Sequence, residues 1–344
     1  MTVKRIDIRS ARTNLEMRAD QTILDAALAA GLPYPHGCRS GRCGACKSRL
    51  IQGGVELLQH SPFALTDEEK AGGLVLACRA LPVTDTAVAW LGSGDEDVAQ
   101  TPQQRNGIVT RLEDLTHDIK LVRIETEDGG SARFVAGQYA QVSFDRVPAR
   151  SYSMANRHGD GGVEFHIRHV VGGTTSQHVH HGLMVGDKVT LEYPMGSSYL
   201  RENHGGPILC IAGGSGLAPI KSIVETALSH GMKQPIHLYF GARTERDLYL
   251  VDHFRALAEW HANLFFHAVL SEADSARYRR GFVTKAVAED LPDLDGWKAY
   301  VAGPPPMADA AREVAFARGL NRSDLHADAF FTSEPTPTIR APRS

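Results

Sequence analysis

Residues 38–46 read Cys-Arg-Ser-Gly-Arg-Cys-Gly-Ala-Cys, and a fourth cysteine, Cys78, follows after thirty-one further residues. This C-x4-C-x2-C...C spacing matches the ligand spacing of one class of 2Fe-2S cluster. Two irons need four deprotonated sulfurs on one side of a compact cluster, and an irregular loop can wrap three of them around it. Glycines at 37, 41 and 44 let the backbone come close and leave N–H groups to point at the sulfurs. The sequence therefore predicts a cluster held by Cys38, Cys43, Cys46 and Cys78.

Two other uses of these cysteines fit the pattern less well. Structural zinc usually takes its thiolates in two C-x2-C pairs, and here only Cys43 and Cys46 form such a pair. A disulfide framework is typical of short secreted chains, whereas this chain has 344 residues, five cysteines and no secretory leader. We therefore expect a reduced, cytoplasmic protein. Cys210 lies in an apolar strand and is predicted to be a buried structural thiol.

Composition argues against several classes of function. The chain carries 37 basic and 40 acidic residues, a net charge of -3, which gives no indication of binding to nucleic acid or to an anionic membrane. No apolar run approaches the roughly 20 residues that span a bilayer. Residues 1–95 hold 11 Lys or Arg and 10 Asp or Glu, a net of 11 - 10 = +1, which indicates little long-range steering by net charge. We expect a soluble monomer of two or three domains.

The first predicted domain surrounds the cysteine loop. Residues 4–9 alternate like a half-buried strand, and residues 22–30 predict a short amphipathic helix. Residues 92–106 lose all hydrophobic periodicity and gather Gly, Asp, Gln and Pro, which is typical of a solvated linker. We therefore predict a first domain over residues 1–95. The tail from Thr332 to Ser344 is expected to be poorly ordered.

Short strands separated by Gly, Pro and Asp follow the linker. They alternate in polarity or carry β-branched residues, and this pattern predicts a small antiparallel barrel over residues 105–203. The predicted strands are 108–111, 119–125, 139–144, 151–155, 163–170 and 188–193.

Two motifs in this barrel suit a single ligand. Residues 150–153 read Arg-Ser-Tyr-Ser and offer a guanidinium fork for a pyrophosphate, an aromatic face for a flavin ring and a hydroxyl for a ring nitrogen. Residues 172–176 read Gly-Gly-Thr-Thr-Ser and precede a predicted helix, whose first N–H groups suit phosphate. Taken singly, the first motif is also compatible with a surface strand and the second with a turn and helix cap.

From residue 204 onward, apolar strands alternate with helices. Residues 207–212 form a continuous apolar strand, followed by the turn Gly-Gly-Ser-Gly-Leu-Ala-Pro at 213–219 and a helix over 220–230. The alternation predicts a doubly wound parallel sheet over residues 204–334. Its further predicted elements are strands 236–241, 264–270 and 298–302, and helices 251–261, 306–318 and one after Gly281.

Three loops of this sheet follow strand ends. The first departs from the dinucleotide fingerprint G-x-G-x-x-G, because Pro219 stands at the third glycine, and by itself it is equally consistent with a plain turn. The second, Gly-Pro-Pro-Pro-Met at 303–307, also joins a strand to a helix, and Gly-Ala-Arg at 241–243 ends a third strand. Open parallel sheets bind ligands at the carboxyl ends of their strands, so the three loops together predict a cofactor crevice.

In this order, the cysteine loop, the Arg-x-Tyr-Ser strand, the glycine turn and the Gly-Pro-Pro-x-Met loop resemble the ferredoxin-NADP reductase superfamily. More narrowly, the chain looks like the three-module reductases that serve bacterial ring-hydroxylating and other multicomponent oxygenases. The similarity runs from the first strand to His-Ala-Asp-Ala-Phe at 326–330. The resemblance implies a β-grasp-type plant ferredoxin module (α+β), an antiparallel β-barrel that binds FAD and a doubly wound α/β module that binds a nicotinamide nucleotide.

The resemblance also implies residue roles. Ser153, Ser215 and Phe330 are expected to take part in catalysis. The residues expected to bind FAD are Arg150, Tyr152, Ser153, His166, Arg168, Gly172, Gly173, Thr175 and Ser176. Those expected to bind the nicotinamide nucleotide are Gly214, Ser215, Gly216, Pro219, Gly241, Arg243, Gly303, Pro304, Pro305 and Met307.

Two positions depart from the pattern of that family. Many relatives carry a cysteine directly before Gly-Pro-Pro, near the nicotinamide; Ala302 stands there in this chain, so the hydride rate is expected to depend more on packing. Relatives also often place a C-terminal aromatic ring against the flavin. Phe330 or Phe331 would take that place here, with two core phenylalanines as the alternative.

The cofactor set predicts an electron path. Hydride transfer delivers two electrons at once, a 2Fe-2S cluster accepts one, and FAD handles both. The expected order is NADH, FAD, cluster and a terminal oxygenase, one that acts on an aromatic acid such as terephthalate. For the nucleotide, Arg243 and Arg246 favour a 2′-phosphate. Glu245 and Asp247 disfavour it, and the resemblance to NADH-using reductases makes NADH the expected donor over NADPH.

Other interpretations stay open from the sequence. The same path can serve a different acceptor, either a sugar-nucleotide dehydrase or a free ferredoxin. A non-catalytic redox sensor is a third alternative, against which the absence of any DNA-binding or signalling module in the sequence counts. Histidines at 178, 180 and 181 could hold a metal, but two of the three would point away from each other on a helix, so a solvated helix surface is expected.

Overall fold

The computed structural model describes residues 3–18, 20–36, 39–42, 44–62, 64–91, 102–127 and 133–331. These residues divide into two units, one that runs to Leu91 and includes Phe331, and one that ends at Phe330. Within the described ranges, no helix is long and apolar enough to cross a membrane.

The first unit is an α+β module around a mixed sheet. Its elements are β1 (Val3–Ile8), β2 (Thr13–Arg18), α1 (Ile23–Ala29), β3 (Lys47–Gln52), β4 (Val55–Leu57), α2 (Asp67–Ala71), β5 (Leu74–Leu76), β6 (Ala80–Pro82) and β7 (Thr86–Trp90). The strand order is β2-β1-β7-β3-β5, with β1 and β7 parallel. Helix α1 begins after Thr22, whose hydroxyl accepts a hydrogen bond from the Asp25 N–H. This architecture confirms the predicted ferredoxin module.

The second unit opens with an antiparallel sheet that curls into a nearly closed barrel. Its elements are β8 (Gln103–Asp114), β9 (Ile119–Thr126), β10 (Tyr139–Phe144), β11 (Arg150–Ser153), β12 (Val163–Arg168), α3 (Thr174–His181) and β13 (Lys188–Met195). The order is β11-β10-β13-β8-β9-β12, and a bridge between Met154 and Phe165 brings the two edges together. Inward-facing apolar side chains such as Val142 and Leu191 fill the interior. The predicted barrel is confirmed.

The rest of the second unit is a doubly wound parallel sheet, as predicted. Its elements are β14 (Ile208–Gly213), α4 (Leu217–Ser229), β15 (Ile236–Ala242), α5 (Val251–Trp260), β16 (Leu264–Leu270), β17 (Arg279–Arg280), α6 (Val283–Asp290), β18 (Lys298–Gly303), α7 (Pro305–Ala317) and β19 (Leu325–Ala329). The order is β17-β16-β15-β14-β18-β19. Every residue of β14 is buried, as is usual for a central strand with both faces covered. The direction of winding reverses between β14 and β18, where such sheets bind ligands.

Three differences from the sequence prediction have clear physical reasons. Strand β8 starts at Gln103, inside the predicted linker, because its polar first residues pair with β13 through the backbone and need no hydrophobic pattern. Helix α4 starts at Leu217, and Pro219 occupies its third position. The first four N–H groups of a helix have no acceptor within it, so a proline at this position costs no helical hydrogen bond. Strand β19 was not predicted, because its half-buried residues show no alternation. Residues 92–101 of the linker and the tail 332–344 lie outside the described residues.

Buried polar contacts join the barrel to the parallel sheet. The Lys221 ammonium, on α4, donates to a barrel carbonyl at 3.1 Å and lies 3.3 Å from a carboxylate oxygen of Glu164 and 3.3 Å from one of Glu225. The next side chain, Ser222, donates to the Asn156 carbonyl at 2.7 Å. The Asn156 side-chain oxygen accepts from the Glu164 N–H at 2.9 Å. These bonds hold the helix that follows the glycine turn against the barrel.

Glu164 is ionised in this setting. Burial acts to raise the pKa of its carboxyl, but the hydrogen bond from His166 and the charge of Lys221 outweigh burial and lower the pKa to about 2. A glutamate in an unfolded chain titrates near a pH of about 4. Because the folded pKa lies below the unfolded one, the ionised carboxylate contributes stability above about pH 4 and loses that contribution as the pH falls toward about 2.

Replacement of Lys221 by methionine is expected to destabilise the second unit. The variant removes the cation shared by the buried Glu164 and the half-buried Glu225, and a broken buried ion pair costs about 3 kcal/mol. Chemical denaturation followed by circular dichroism measures the loss. Lys233→Met, at an exposed lysine of the same unit, is the control and should change stability by less than about 0.5 kcal/mol. Adding Glu164→Gln to the methionine variant should recover part of the loss; equal losses for both lysine variants would refute the buried-pair account.

Glu164→Gln is also expected to weaken the pH dependence of stability. Wild-type stability should fall between about pH 4 and about pH 2 as this carboxylate takes up a proton, and the amide cannot do so. Thermal melts at about pH 3 and about pH 7 measure the difference for each protein. Glu125→Gln, at an exposed glutamate on β9, should leave the wild-type difference unchanged. The same difference in wild type and Glu164→Gln would show that Glu164 does not titrate below its usual range.

Candidate functional site

Two of the four predicted cluster ligands lie in the described part of the chain. Cys46, just before β3, and Cys78, in the turn after β5, are both buried and neither forms a disulfide bond. The Cys78 N–H points at the Cys46 sulfur, 3.4 Å away. N–H groups directed at sulfur are typical of iron-sulfur ligands, because they stabilise thiolate charge. Cys38 and Cys43 lie outside the described residues, and the two described thiols fit a 2Fe-2S site.

The cysteine loop needs glycine at position 41. Gly41 has a φ of +75°, and a Cβ there would lie 2.8 Å from the Cγ of Arg79 and 2.9 Å from the Cβ of His60. An L side chain would be both strained and crowded at this point. The loop that carries the first three cysteines therefore packs directly on the residue that follows Cys78.

The Arg-x-Tyr-Ser motif forms edge strand β11 of the barrel. Ser153 is buried, and its hydroxyl donates to the Asp328 carboxylate, 3.2 Å away on β19 of the parallel sheet. Tyr152 is half-buried, and burial raises the pKa of its phenol, so the ring stays neutral. The motif thus lies at the junction of the barrel and the sheet. A flavin ring held on this strand would face a ligand bound to the sheet.

The predicted phosphate loop lies beside this strand. The Thr175 hydroxyl donates to the Pro148 carbonyl at 2.7 Å, which ties the start of α3 to the chain two residues before Arg150. The Ser176 hydroxyl accepts a bond from a backbone N–H of the same loop at 3.0 Å. Helix α3 begins at Thr174, and Gly173 before it offers no side-chain cap, so the first-turn N–H groups are suited to an anion. Together with the Arg150 guanidinium, this arrangement fits the pyrophosphate of FAD.

His166 faces the parallel sheet from β12. Its Nε2 donates to the Glu164 carboxylate at 3.2 Å, and its Nδ1 lies 3.2 Å from the Tyr249 hydroxyl. Burial lowers the pKa of the imidazole despite the opposing effect of Glu164, so the ring is neutral. The same Tyr249 hydroxyl lies 3.4 Å from the Gly214 carbonyl. His166 is therefore linked to the glycine turn through the Tyr249 hydroxyl. Its contact with FAD stays a prediction.

Arg168 belongs to a second polar network between the barrel and the sheet. Its Nε donates to the Asp118 carboxylate at 2.8 Å. Within the described ranges, His117, Asp118 and Asp247 lie close enough to share a metal ion. However, Arg168 already neutralises Asp118, and Asp247 lies 3.6 Å from the Arg243 guanidinium. This cluster is therefore an ion-pair network rather than a cation site.

The three strand-end loops predicted to bind the nucleotide meet at one edge of the sheet. The parallel register places Gly213 beside Gly241 and Ala212 beside Ala302. A Cβ on Gly216 would overlap the Ala302 carbonyl, so only glycine lets the turn pass this close to the end of β18. Helix α4 then begins with no side-chain cap. This edge fits the phosphates of a nicotinamide nucleotide.

The remaining predicted nucleotide residues lie at the same edge. Ser215 occupies the single helical turn between β14 and α4. Pro304 directly precedes α7 and Pro305 begins it, and Met307 in its first turn packs against Gly213 and Gly303. The loops are thus packed on one another rather than independent.

The loop after β15 presents a fixed carboxylate beside an arginine. Arg243 is exposed, and Asp247 is buried. One oxygen of Asp247 accepts from the Thr244 N–H at 2.9 Å and from its hydroxyl at 2.7 Å. Burial acts to raise the pKa of Asp247, but the Thr244 bonds and the Arg243 charge outweigh it and lower the pKa. The charges of this loop are of both signs in the sequence and do not decide between NADH and NADPH. In the structure, the Asp247 carboxylate of the loop is ionised.

Two other predicted residues have clear surroundings. Phe330 packs against the apolar core of the parallel sheet, and its N–H donates to the Gly303 carbonyl at 2.8 Å. This placement agrees with the core-phenylalanine alternative, and its role in catalysis stays a prediction. His180 lies 2.9 Å from the Ile167 carbonyl and 5.3 Å from the ring of His169, so it is half-buried rather than on a solvated surface.

Sequence reasoning missed several residues of the site. Glu164 is one of them; it alternates on one face of β12 with the predicted residues His166 and Arg168, and this polar stripe is a usable signal. Asp328 and Lys221 gave no comparable local signal, because their partners are remote in sequence.

Three family models match successive parts of the chain. The 2Fe-2S iron-sulfur cluster binding domain matches residues 6–83, the oxidoreductase FAD-binding domain matches residues 106–199, and the oxidoreductase NAD-binding domain matches residues 210–313. These ranges follow the ferredoxin module, the barrel and the parallel sheet in turn.

Full-length relatives share all three domains. A ferredoxin--NAD(P)(+) reductase component of naphthalene 1,2-dioxygenase/salicylate 5-hydroxylase systems from Ralstonia sp is 40% identical over 323 residues, which cover 93% of this chain and 97% of the relative. The corresponding component of the Pseudomonas putida naphthalene 1,2-dioxygenase system is 36% identical over 316 residues, with coverages of 91% and 94%. The solved structure of the Amycolatopsis cytochrome P450 reductase GcoB matches with a TM-score of 0.76 at 33% identity and covers 95% of this chain and 98% of its own. The chain therefore belongs to the three-module reductases of oxygenase systems within the ferredoxin-NADP reductase superfamily, and it is an electron-transfer oxidoreductase with 2Fe-2S, FAD-binding and NAD-binding domains.

Proposed function

We propose that this chain is the NADH-dependent reductase of an aromatic-ring-hydroxylating oxygenase and passes electrons from NADH through FAD and the 2Fe-2S cluster to the oxygenase. The observation that carries the proposal is the pairing, in one chain, of two kinds of site. The barrel and parallel sheet of one unit suit two-electron chemistry, and the buried Cys46 and Cys78 of the other suit a one-electron cluster.

Hydride transfer delivers two electrons at once, whereas a 2Fe-2S cluster accepts one, so a cofactor between them has to handle both. FAD has this property when bound, because its ring accepts a hydride and can release electrons one at a time. The protein itself has no acid-base step to perform. Its side chains have to place the nicotinamide against the flavin ring and keep water away from the transfer.

Ser153 is the side chain that we assign to orienting the flavin ring. Its hydroxyl proton goes to Asp328, so its oxygen keeps a lone pair that can accept a bond from a ring nitrogen. One partner belongs to the barrel and the other to the sheet. The bond therefore links the orientation of the hydroxyl to the module that holds the nucleotide. Ser215 is assigned to the nicotinamide side, because it lies in the turn before α4.

NADH is proposed as the electron donor in preference to NADPH. Arg243 is the predicted partner of a 2′-phosphate, but its guanidinium lies 3.6 Å from the Asp247 carboxylate. A phosphate bound there would face that fixed negative charge and compete with it for the arginine. A ribose hydroxyl, by contrast, can donate a hydrogen bond to a carboxylate.

The aromatic substrate class rests on the relatives. Their names specify naphthalene dioxygenase and salicylate hydroxylase systems. Terephthalate is an aromatic acid, as salicylate is, and fits this class. A free ferredoxin is a second candidate for the immediate acceptor, because the same names specify a ferredoxin--NAD(P)(+) reductase component.

The electron order predicts separable phases in anaerobic stopped-flow absorbance. NADH should bleach the flavin first and the cluster bands second, and it should react roughly tenfold faster than NADPH, which corresponds to about 1.4 kcal/mol of discrimination. Cys46→Ser should keep the flavin phase and abolish the cluster phase. Cys210→Ala, which removes the cysteine of β14, is the matched control and should keep both. Flavin bleaching with cluster bands that stay oxidised in the wild type would contradict the path.

Removal of the Ser153 hydroxyl should slow hydride transfer. We expect Ser153→Ala to lower the rate of flavin reduction about tenfold with little change in NADH affinity, because one positioning hydrogen bond is lost. Asp328→Ala should act similarly, and the double variant should be no slower than either single one, since the two groups act as a unit.

Single-turnover reduction at several NADH concentrations separates the rate from the affinity. Ser151→Ala, at an exposed serine on the same strand, provides the control and should match the wild type. A wild-type rate in Ser153→Ala with full flavin content would remove Ser153 from the mechanism.

A further inference from the structure

A buried hydrogen bond joins the two ends of the cysteine loop. Tyr34 precedes the first predicted ligand, Cys38, by four positions, and Ser48 follows the third, Cys46, by two. The Tyr34 hydroxyl lies 2.6 Å from the Ser48 hydroxyl, and both residues are buried. This bond closes the base of the loop that carries three of the four predicted ligands.

The protons of this pair are directed toward Cys46. The Ser48 hydroxyl donates to the Cys46 carbonyl at 3.1 Å. A serine hydroxyl has one proton to donate, so Tyr34 is the donor in the bond between the two hydroxyls. A phenol keeps its proton at neutral pH. Tyr34 and Ser48 therefore form a chain of two O–H groups that ends at a ligand residue, and we refer to it as the hydroxyl chain.

Cys46 is also bonded to the segment that carries the fourth predicted ligand. Its carbonyl accepts the Ala77 N–H at 3.0 Å, and the Cys78 N–H points at its sulfur from 3.4 Å. Both of these donors belong to the backbone and are present whatever the side chains are. The Ser48 hydroxyl, by contrast, is a side-chain donor. The hydroxyl chain is therefore the part of this arrangement that depends on the choice of amino acid.

The hydroxyl chain lies in an apolar environment. Tyr34 and Cys46 belong to the buried core of the module. The Trp90 ring packs edge-on against the Tyr34 ring, with the two centroids 4.9 Å apart. In such surroundings an O–H dipole acts on a nearby charge more strongly than in water, and a hydroxyl that donates to a second hydroxyl polarises it. Hydrogen bonds and burial at the ligands are among the factors that set the potential of iron-sulfur clusters.

We propose that Tyr34 and Ser48 are positioning residues of the cluster site, and that their hydroxyl chain stabilises the reduced 2Fe-2S cluster and so raises its reduction potential. The proposal rests on the proposed function, because it takes the cluster as the centre that receives one electron from the flavin. That electron adds one negative charge, and no proton or covalent bond moves with it. Both O–H dipoles direct their positive ends at the ligand residue, so they favour the more negative state.

The test is a spectroelectrochemical titration of the holoprotein, in which redox mediators set the potential and cluster absorbance reports the reduced fraction. Ser48→Ala removes the donor to Cys46, and the equilibrium constant for cluster reduction should fall about tenfold, which lowers the potential by about 60 mV. Tyr34→Phe removes only the polarising phenol and should lower the constant about threefold, or the potential by about 30 mV. The double variant should match Ser48→Ala, because Tyr34 acts through Ser48.

A matched control separates this effect from a loss of stability. Thr86 is a buried residue of the same module, and its hydroxyl donates to the Thr84 carbonyl at 2.8 Å rather than to a predicted ligand. Thr86→Val should therefore lower the stability to urea but leave the cluster potential unchanged. An unchanged or raised potential in Ser48→Ala or in Tyr34→Phe, with full cluster content per flavin, would overturn the proposal. Tyr34→Phe retains the ring, so it decides alone if Ser48→Ala fails to assemble the cluster.

Failure of this proposal is distinguishable from failure of the proposed function. The mediator titration uses no NADH and involves no transfer from the flavin. If the two variants shift the potential but NADH never reduces the wild-type cluster, the electron path is wrong and the role of the hydroxyl chain stands. If NADH reduces the cluster and the variants keep the wild-type potential, the path stands and Tyr34 and Ser48 have no part in setting the potential.

Discussion

The half-buried ammonium group of Lys221 constrains how the barrel sits on the parallel sheet. It lies between carboxylates of Glu164 and Glu225 and also bonds a barrel carbonyl. Charges out of contact with water tolerate few geometries, because their desolvation is offset only when every group is paired. The contact therefore acts as a positional constraint more than as a source of net stability. Lys221 lies on α4, the helix that follows the glycine turn, and it contacts the barrel. The contact therefore links the predicted nucleotide loops to the barrel that carries the predicted flavin strand.

The bonds around this lysine explain how distant residues come to share one site. Strand β12 carries Glu164, His166 and Arg168, whose partners outside the strand include Lys221, Tyr249 and Asp118 in turn. The same junction brings Ser153 to Asp328 across 175 residues of sequence. A polar junction of this kind suits hydride transfer, because directional hydrogen bonds specify the distance and angle between two rings more narrowly than apolar contacts do.

The ferredoxin module meets a different requirement. Its cluster loop is close-packed, because Gly41 lies against the stem of Arg79, the residue that follows Cys78. The proposed hydride transfer thus depends on fixed geometry within the second unit, whereas the one-electron step depends on the cysteine loop of the first.

The sequence by itself determined the three modules, their order and the motif residues. Cysteine spacing, the period of the hydrophobic pattern and glycines at strand ends are local signals, and each reflects chemistry that a short stretch must satisfy. The pairs Ser153–Asp328 and Lys221–Glu164 were decided only by the tertiary structure. Strand β8 likewise extends into the predicted linker because β13 pairs with it. Hydrogen bonds and ion pairs between remote residues leave no periodicity in either segment, so folding alone brings them together.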